Sequence, residues 1–247
     1  MNSLRTFKFL GPVDFKSLQR DPLLRWVVVL PLVIALALRF VAPPILENLE
    51  EVINLEVMPY YPAMMSYMLL VLVPSLVGMV TGFMLLDQRD DRTLIALQVT
   101  PMSLNGYLIY RLFFPTIVSV IVTVLLFPAA GFVEIGAPAL LLPAIVASLM
   151  APLSALFLGG FAANKVQGFA LMKAFGIILI PPMIAYFIQS PWQLVLGIFP
   201  TYWPAKLYWS IQANLPGKLF YLAAGIAYQL VLLALCLRRF KLVMTRE

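Results

Sequence analysis

The chain has 247 residues, 62% hydrophobic and 11% charged, with a mean hydropathy of +0.96, far from the roughly 45–50% apolar and 25% charged of soluble domains. It reads as an integral membrane protein. One Cys and no His exclude a disulfide framework and a Cys/His zinc site and remove the usual general base of hydrolases. The net charge of +6 comes from basic residues at the ends of apolar runs rather than from a basic polar domain, which marks membrane topology and argues against a nucleic-acid partner.

The first 25 residues lack the apolar stretch and small-residue cleavage site of a signal peptide, so the N-terminus is expected to be retained. VDFKSLQRDP predicts a short helix on the inner membrane surface. Asp14 stands near its start, Phe15 and Leu18 on one side, Lys16 and Arg20 on another, and Pro22 at its stop.

A spanning helix needs ~20 mostly apolar residues, and six runs qualify, over about 26–46, 61–86, 104–133, 138–164, 167–189 and 219–237. The predicted fold class is all-α, a single six-helix membrane domain over residues 1–247, without repeat or soluble domain. After the first run, PPILENLEEVINLEV sets Ile45, Leu49, Val52 and Ile53 at helical spacing opposite Glu47, Glu50 and Glu51, a small amphipathic helix. Between Lys173 and Lys206 lie 32 uncharged residues. Ser190-Pro191 breaks that run, and Trp192–Phe199 gives only ~12 Å of helix before Pro200. Residues 190–214 are therefore expected to form a re-entrant or interfacial hairpin at the outer leaflet, with Trp192, Tyr202, Trp203, Tyr208 and Trp209 as an aromatic belt. An ordinary loop with interfacial anchors is the alternative.

Basic flanks set the orientation. Arg5, Lys8, Lys16, Arg20, Arg25, Arg89, Arg92, Lys165, Lys173, Arg238, Arg239, Lys241 and Arg246 fall on one side. Only Arg39, Lys206 and Lys218 fall on the other, with Glu47, Glu50, Glu51, Glu56 and Glu134. The positive-inside rule then puts both termini in the cytoplasm.

The stretch LLDQRDDRTLIALQVTP, residues 85–101, becomes a cytoplasmic loop. It concentrates Asp87, Arg89, Asp90, Asp91 and Arg92, and then offers Leu94, Ile95 and Leu97 before Pro101. Asp90 and Asp91 suit a helix start. At about ten residues the helix is too short to span. It lies either in the headgroup layer or against a partner.

LLDQRDDRTLIALQVTPMSLNGYLIYR resembles the loop between the second and third helices of type-2 ABC transporter permeases, the membrane subunits of a large class of exporters. Three further segments fit that family in order: Arg20-Asp21-Pro22-Leu23-Leu24, Asn164-Lys165-Val166-Gln167-Gly168 with Lys173, and Phe199-Pro200-Thr201-Tyr202-Trp203-Pro204-Ala205-Lys206. The resemblance covers essentially the whole chain and is greatest to small six-helix permeases of drug export, fluoroquinolone export included. It implies that the loop helix is a coupling helix, with Asp90, Asp91, Arg92, Leu94, Ile95 and Leu97 docking on a separate ABC ATPase. It also implies an outer hairpin carrying Trp192, Pro200, Tyr202, Trp203 and Trp209, and a second permease copy or a related chain as partner. The chain would then be a multi-pass protein of the cytoplasmic membrane with lipids around it, a transporter subunit rather than an enzyme. It would hold no cofactor of its own, with ATP and Mg on the ATPase. In agreement, the sequence has no G-x-x-x-x-G-K-[ST] phosphate loop.

An ATP-independent channel or secondary carrier is the alternative function. No Asp or Glu falls in the middle of a span, where an ion-coupled carrier places its acids. An intramembrane metalloprotease built on Glu50-Glu51 lacks any His. Met64, Met65, Met68, Met79 and Met84 offer either an adaptable substrate surface or ordinary packing. Gly159-Gly160 and Pro181-Pro182 mark close packing or a bend in the fourth and fifth spans. Substrate-lining residues are not legible.

Overall fold

The computed structural model describes residues 3–90, 104–131, 136–188 and 190–244, which form helices and connecting turns. In chain order they are α1 (Ser3–Arg20), α2 (Pro22–Phe40), α3 (Ala42–Ile53), α4 (Tyr61–Asp90), α5 (Leu104–Ala130), α6 (Ala137–Ser148), α7 (Met150–Phe161), α8 (Lys165–Gly176), α9 (Ile180–Phe187), α10 (Tyr202–Gln212) and α11 (Lys218–Met244). Two 3₁₀ turns, Ile177–Leu179 and Pro191–Ile198, complete the described path.

Among the described residues five stretches are long and apolar enough to cross a membrane: Tyr61–Asp90, Gly106–Ala130, Pro138–Phe161, Lys165–Phe187 and Lys218–Val243. Leu24–Phe40 and Ala42–Ile53 make a sixth only as a pair bent by 46°. Pro43 and Pro44 explain that bend, because they carry no N–H to continue the ladder of α2. No side chain of α3 is buried. Its C-cap Asn54 takes the left-handed conformation at φ 51°, and the Glu50 carboxylate accepts from the N–H groups of Val57 and Met58, turning the chain back toward α4.

α4 is the central helix: 89% of its apolar window is buried, against 22% for α5 and 11% for α11; α2, α5, α6, α7 and α8 pack against it, while α11 lies against α7 and α10. Apolar side chains gain nothing by leaving lipid, and close backbone approach supplies the packing instead. Gly78 and Gly82, four apart on α4, meet Ala151 and Ala155, four apart on α7; a Cβ added at Gly78 would lie 2.1 Å from the Ala151 carbonyl oxygen. The methionines of α4 take the ordinary packing role, with Met64, Met79 and Met84 buried and Met65 and Met68 against the core.

The fourth span is interrupted at Leu149, between α6 and α7, three residues before Pro152. The fifth is interrupted at Pro181-Pro182, and the backbone oxygens released there are taken by side chains from elsewhere. Thr201 donates to the Ile178 carbonyl and Tyr67 of α4 to the Leu179 carbonyl. The expected bend thus doubles as a socket that ties α4 and the turn before α10 to the fifth span.

Two expectations are corrected. α1 is not a short helix opened by Asp14; it runs from Ser3 to Arg20 with Asp14 inside it, because the carboxylate is engaged by a distant arginine rather than by a helix end. The residues expected as an aromatic belt are mostly interior: Tyr202, Tyr208 and Trp209 are buried, Trp203 is half-buried, and only Trp192 is widely exposed, at 78%. α10 presents one side to α4, α6 and α11, so its rings fill the gap between spans.

Candidate functional site

At one end of the bundle, the chain enters and leaves the loop between α4 and α5, and both roots are braced. Asp14 of α1 forms a two-point ion pair with Arg111 of α5, at 2.8 Å (Oδ2 to Nη1) and 3.1 Å (Oδ1 to Nη2), both side chains being buried. Tyr110 donates to the same carboxylate at 2.8 Å, Arg111 Nε donates to the Tyr107 hydroxyl at 3.2 Å, and that hydroxyl donates to Gln88 Oε1 near the end of α4. A buried charge survives only when paired and fully hydrogen-bonded, and here α1, α4 and α5 together supply the partners.

A second knot lies at the same end. Lys165, opening α8, reaches Asp21 at the α1–α2 junction (3.0 Å) and Asp87 of α4 (2.8 Å). Arg89 donates to the carbonyls of Ala162 (2.9 Å) and Ala163 (2.6 Å), satisfying the C-terminal end of α7. Asn164 caps α8 by accepting from Gln167 N at 3.0 Å, and Gln167 Oε1 accepts from Ala163 N at 2.9 Å. Each residue of the Asn164–Gln167 segment except Val166 thus has a local task. Gly168 completes the segment by admitting the Phe83 ring, which a Cβ would meet at 2.9 Å.

Of the six expected coupling residues, Asp90 ends α4 and is exposed. Asp91, Arg92, Leu94, Ile95 and Leu97 lie outside the described residues. Asp87 and Arg89 of the same charge run tie the bundle end together, a role the sequence reading did not assign to them. The Asp14–Arg111 network was missed as well; its signal was Arg111 itself, a cation inside an apolar run, which demands a partner.

Between α1, α2, α4 and α5 lies a cavity of ≈180 Å³, walled by side chains such as Val28, Val80, Met84 and Val118, with Asp14, Tyr110 and Arg111 at one end. At the opposite end of the bundle a larger vestibule of ≈1140 Å³ opens among Tyr60, Tyr186, Phe187, Gln193, Lys206 and Trp209. Of the expected hairpin residues, Trp209 lines it, and the others lie beside it in the chain. Trp192 stands on the 3₁₀ turn Pro191–Ile198, Pro200 forms the link to α10 and accepts from Gln229 Nε2 at 3.3 Å, and Trp203 donates to the Gly197 carbonyl at 2.9 Å. Trp209 donates to the Ala63 carbonyl at 3.1 Å, which fixes α10 to α4. Among the described residues no group of His, Cys, Asp and Glu is arranged to hold a metal.

The description of the Rv2686c-like fluoroquinolones export permease proteins matches residues 14–237 of the chain. The chain belongs to that family. Two relatives are the fluoroquinolones export permease proteins MT2760 and Rv2686c of Mycobacterium tuberculosis, from strains CDC 1551 / Oshkosh and ATCC 25618 / H37Rv. Each is 32% identical over 240 residues, 96% of this chain and 94% of the relative. No solved structure matches. The resemblance to type-2 ABC permeases drawn from the motifs is borne out at this level. As a permease of this family the chain is a membrane transporter subunit, with several helices long and apolar enough to cross a membrane among the described residues.

Proposed function

We propose that the chain is the membrane half of an ATP-driven exporter of drug-like amphipathic molecules, energised by a separate ABC ATPase and completed by a second permease copy or a related chain. The match along residues 14–237 to export permeases carries this reading, and a sequence without a phosphate loop is in keeping with ATP hydrolysis on another chain. In this reading both termini and residues 91–100 face the cytoplasm, while Glu47–Glu56 and Thr201–Lys218 face outward. The ATPase docks on the 91–100 segment. Both roots of that segment are tied into the bundle, through Gln88 on one side and Tyr107 and Arg111 on the other, so a push on the loop reaches α1, α4 and α5 together. Drug-like cargo follows from the relatives' names.

The test is reconstitution in vesicles with an ABC ATPase subunit that co-purifies with the chain. ATP-dependent accumulation of norfloxacin in inside-out vesicles, absent without the ATPase, is expected; accumulation driven by a proton gradient alone would make the protein a secondary carrier. Cysteine labelling on a Cys236→Ser background gives the orientation: a Cys at Arg92 is expected to react only from the cytoplasmic side.

A further inference from the structure

The vestibule holds a charge with no counter-charge. Lys206 is half-buried on α10, and among the described residues its ammonium has no carboxylate or carbonyl partner; it sits 5.9 Å from the centre of the Trp209 ring. The other cations of the same bundle end are spoken for. Arg39 donates to the Ala129 carbonyl at 2.8 Å and Lys218 to Asn214 at 2.5 Å. Among the described residues no carboxylate lines the vestibule.

Its walls are flat rings set edge to face. Tyr60 meets Phe187 at 5.2 Å and Tyr186 at 6.5 Å between centroids, and Tyr186 meets Trp209 at 4.9 Å. Trp209 is held from behind by Tyr67 and by its bond to Ala63. Gln193 contributes a buried side-chain oxygen that lacks a hydrogen-bond partner among the described residues. The space of ≈1140 Å³ exceeds the roughly 300–1,000 Å³ of drug-sized pockets.

We infer that this vestibule is a binding site for planar aromatic carboxylates, with Lys206 taking the carboxylate and Trp209, Tyr186 and Tyr60 the ring faces. One lysine matches one negative charge, and its four-carbon stem lets the ammonium follow the ligand. A ring system with a single acidic group satisfies both halves of the site, the cation and the aromatic cage, whereas a neutral apolar molecule leaves the buried ammonium unpaired and a dianion leaves one charge uncompensated. The inference deepens the export reading by naming the chemistry of the cargo at the end of the pathway opposite the braced loop.

The probes are norfloxacin and its ethyl ester, which differ only in the acid, and the protein is the full chain in nanodiscs of phosphatidylcholine, with no ATPase present. Equilibrium dialysis is expected to show the acid binding about tenfold or more tightly than the ester, as a charge-assisted hydrogen bond requires. Lys206→Gln should erase the difference and Lys206→Arg should keep it. Equal affinity of acid and ester for the unaltered protein overturns the inference. So does a preference that survives Lys206→Gln, or no binding of either probe. Because no transport is measured, binding with this pattern in a protein that fails to export would leave the site standing and sink the export reading instead.

Discussion

Asp14 and Arg111 stand 97 positions apart and close a two-point ion pair at 2.8 and 3.1 Å inside the bundle. The pair joins the N-terminal helix to the start of the third span, beside the loop that the family resemblance assigns to coupling. Removing one partner strands the other, and breaking a buried pair costs about 3–5 kcal/mol. Arg111→Leu is expected to lower the melting temperature of the purified protein sharply. Asp14→Leu combined with Arg111→Leu should recover much of the loss, since the stranded charge is then gone. A double variant no more stable than Arg111→Leu would show that the loss comes from the hydrogen bonds and packing of Arg111 with Tyr107 rather than from a stranded charge.

The α4–α7 contact gives a second prediction, set by what lies across from each glycine. A methyl at position 78 meets the Ala151 carbonyl oxygen at 2.1 Å and two further backbone atoms at 2.8 Å, while one at position 82 meets Leu158 Cβ and Cδ1 at 2.9 Å and the Ala155 carbonyl oxygen at 3.2 Å. The overlap at 78 is deeper and wholly against backbone. Gly78→Ala should therefore cost at least the ~1–3 kcal/mol of overpacking and Gly82→Ala less, read as thermal unfolding in detergent. Equal stability of the two variants would place the helices farther apart than the structure does.

The spans, the broken run after Lys173 and the family motifs were legible because lipid imposes length and charge rules that act locally. What sequence reading lost was pairing at a distance. Asp14 looked like a helix start because its true partner, Arg111, lies on another helix, and the tie of Asp87 to Lys165 is made only by the fold. The hairpin rings looked interfacial because aromatic residues beside a chain break satisfy the belt rule equally well when they fill a gap between spans, as Tyr202 and Tyr208 do. Gly78-x-x-x-Gly82 was open to reading as a small-residue packing motif, and the Pro181-Pro182 break gave no hint that Tyr67 and Thr201 would use the carbonyls it frees.

The coupling segment yields a third expectation. If residues 91–100 dock on an ATPase, a leucine buried in the groove contributes roughly 1.5–3 kcal/mol, against about 0–1 for an exposed ion pair at its rim. Leu94→Asp or Leu97→Asp should abolish capture of the ATPase, or leave ATP turnover unresponsive to substrate, while Arg92→Ala weakens assembly modestly. Capture and substrate-stimulated turnover at normal levels in both leucine variants would return the segment to the headgroup layer.

The final prediction concerns pH and the lone cation of the vestibule. Burial lowers the pKa of Lys206 from its ordinary 10.5, since the charged form loses solvation without gaining a counter-ion. An anion in the site reverses that balance, so binding is favoured by the proton: affinity for norfloxacin is full below the lowered value and falls as pH rises through it, in a window beneath the ordinary lysine range. Above that value binding must take up a proton. The other titratable groups lining the vestibule are the phenols of Tyr60 and Tyr186, and Lys206→Arg separates their effect from the lysine's, because a guanidinium stays protonated throughout. Dialysis from pH 7 to 10 should show the affinity of the unaltered protein falling with pH, while that of Lys206→Arg stays level. The ester serves as the control at each pH, since it carries no acid for the ammonium to hold. A decline of the same size in Lys206→Arg, beyond any change the ester shows, would rule out Lys206 as the titrating group.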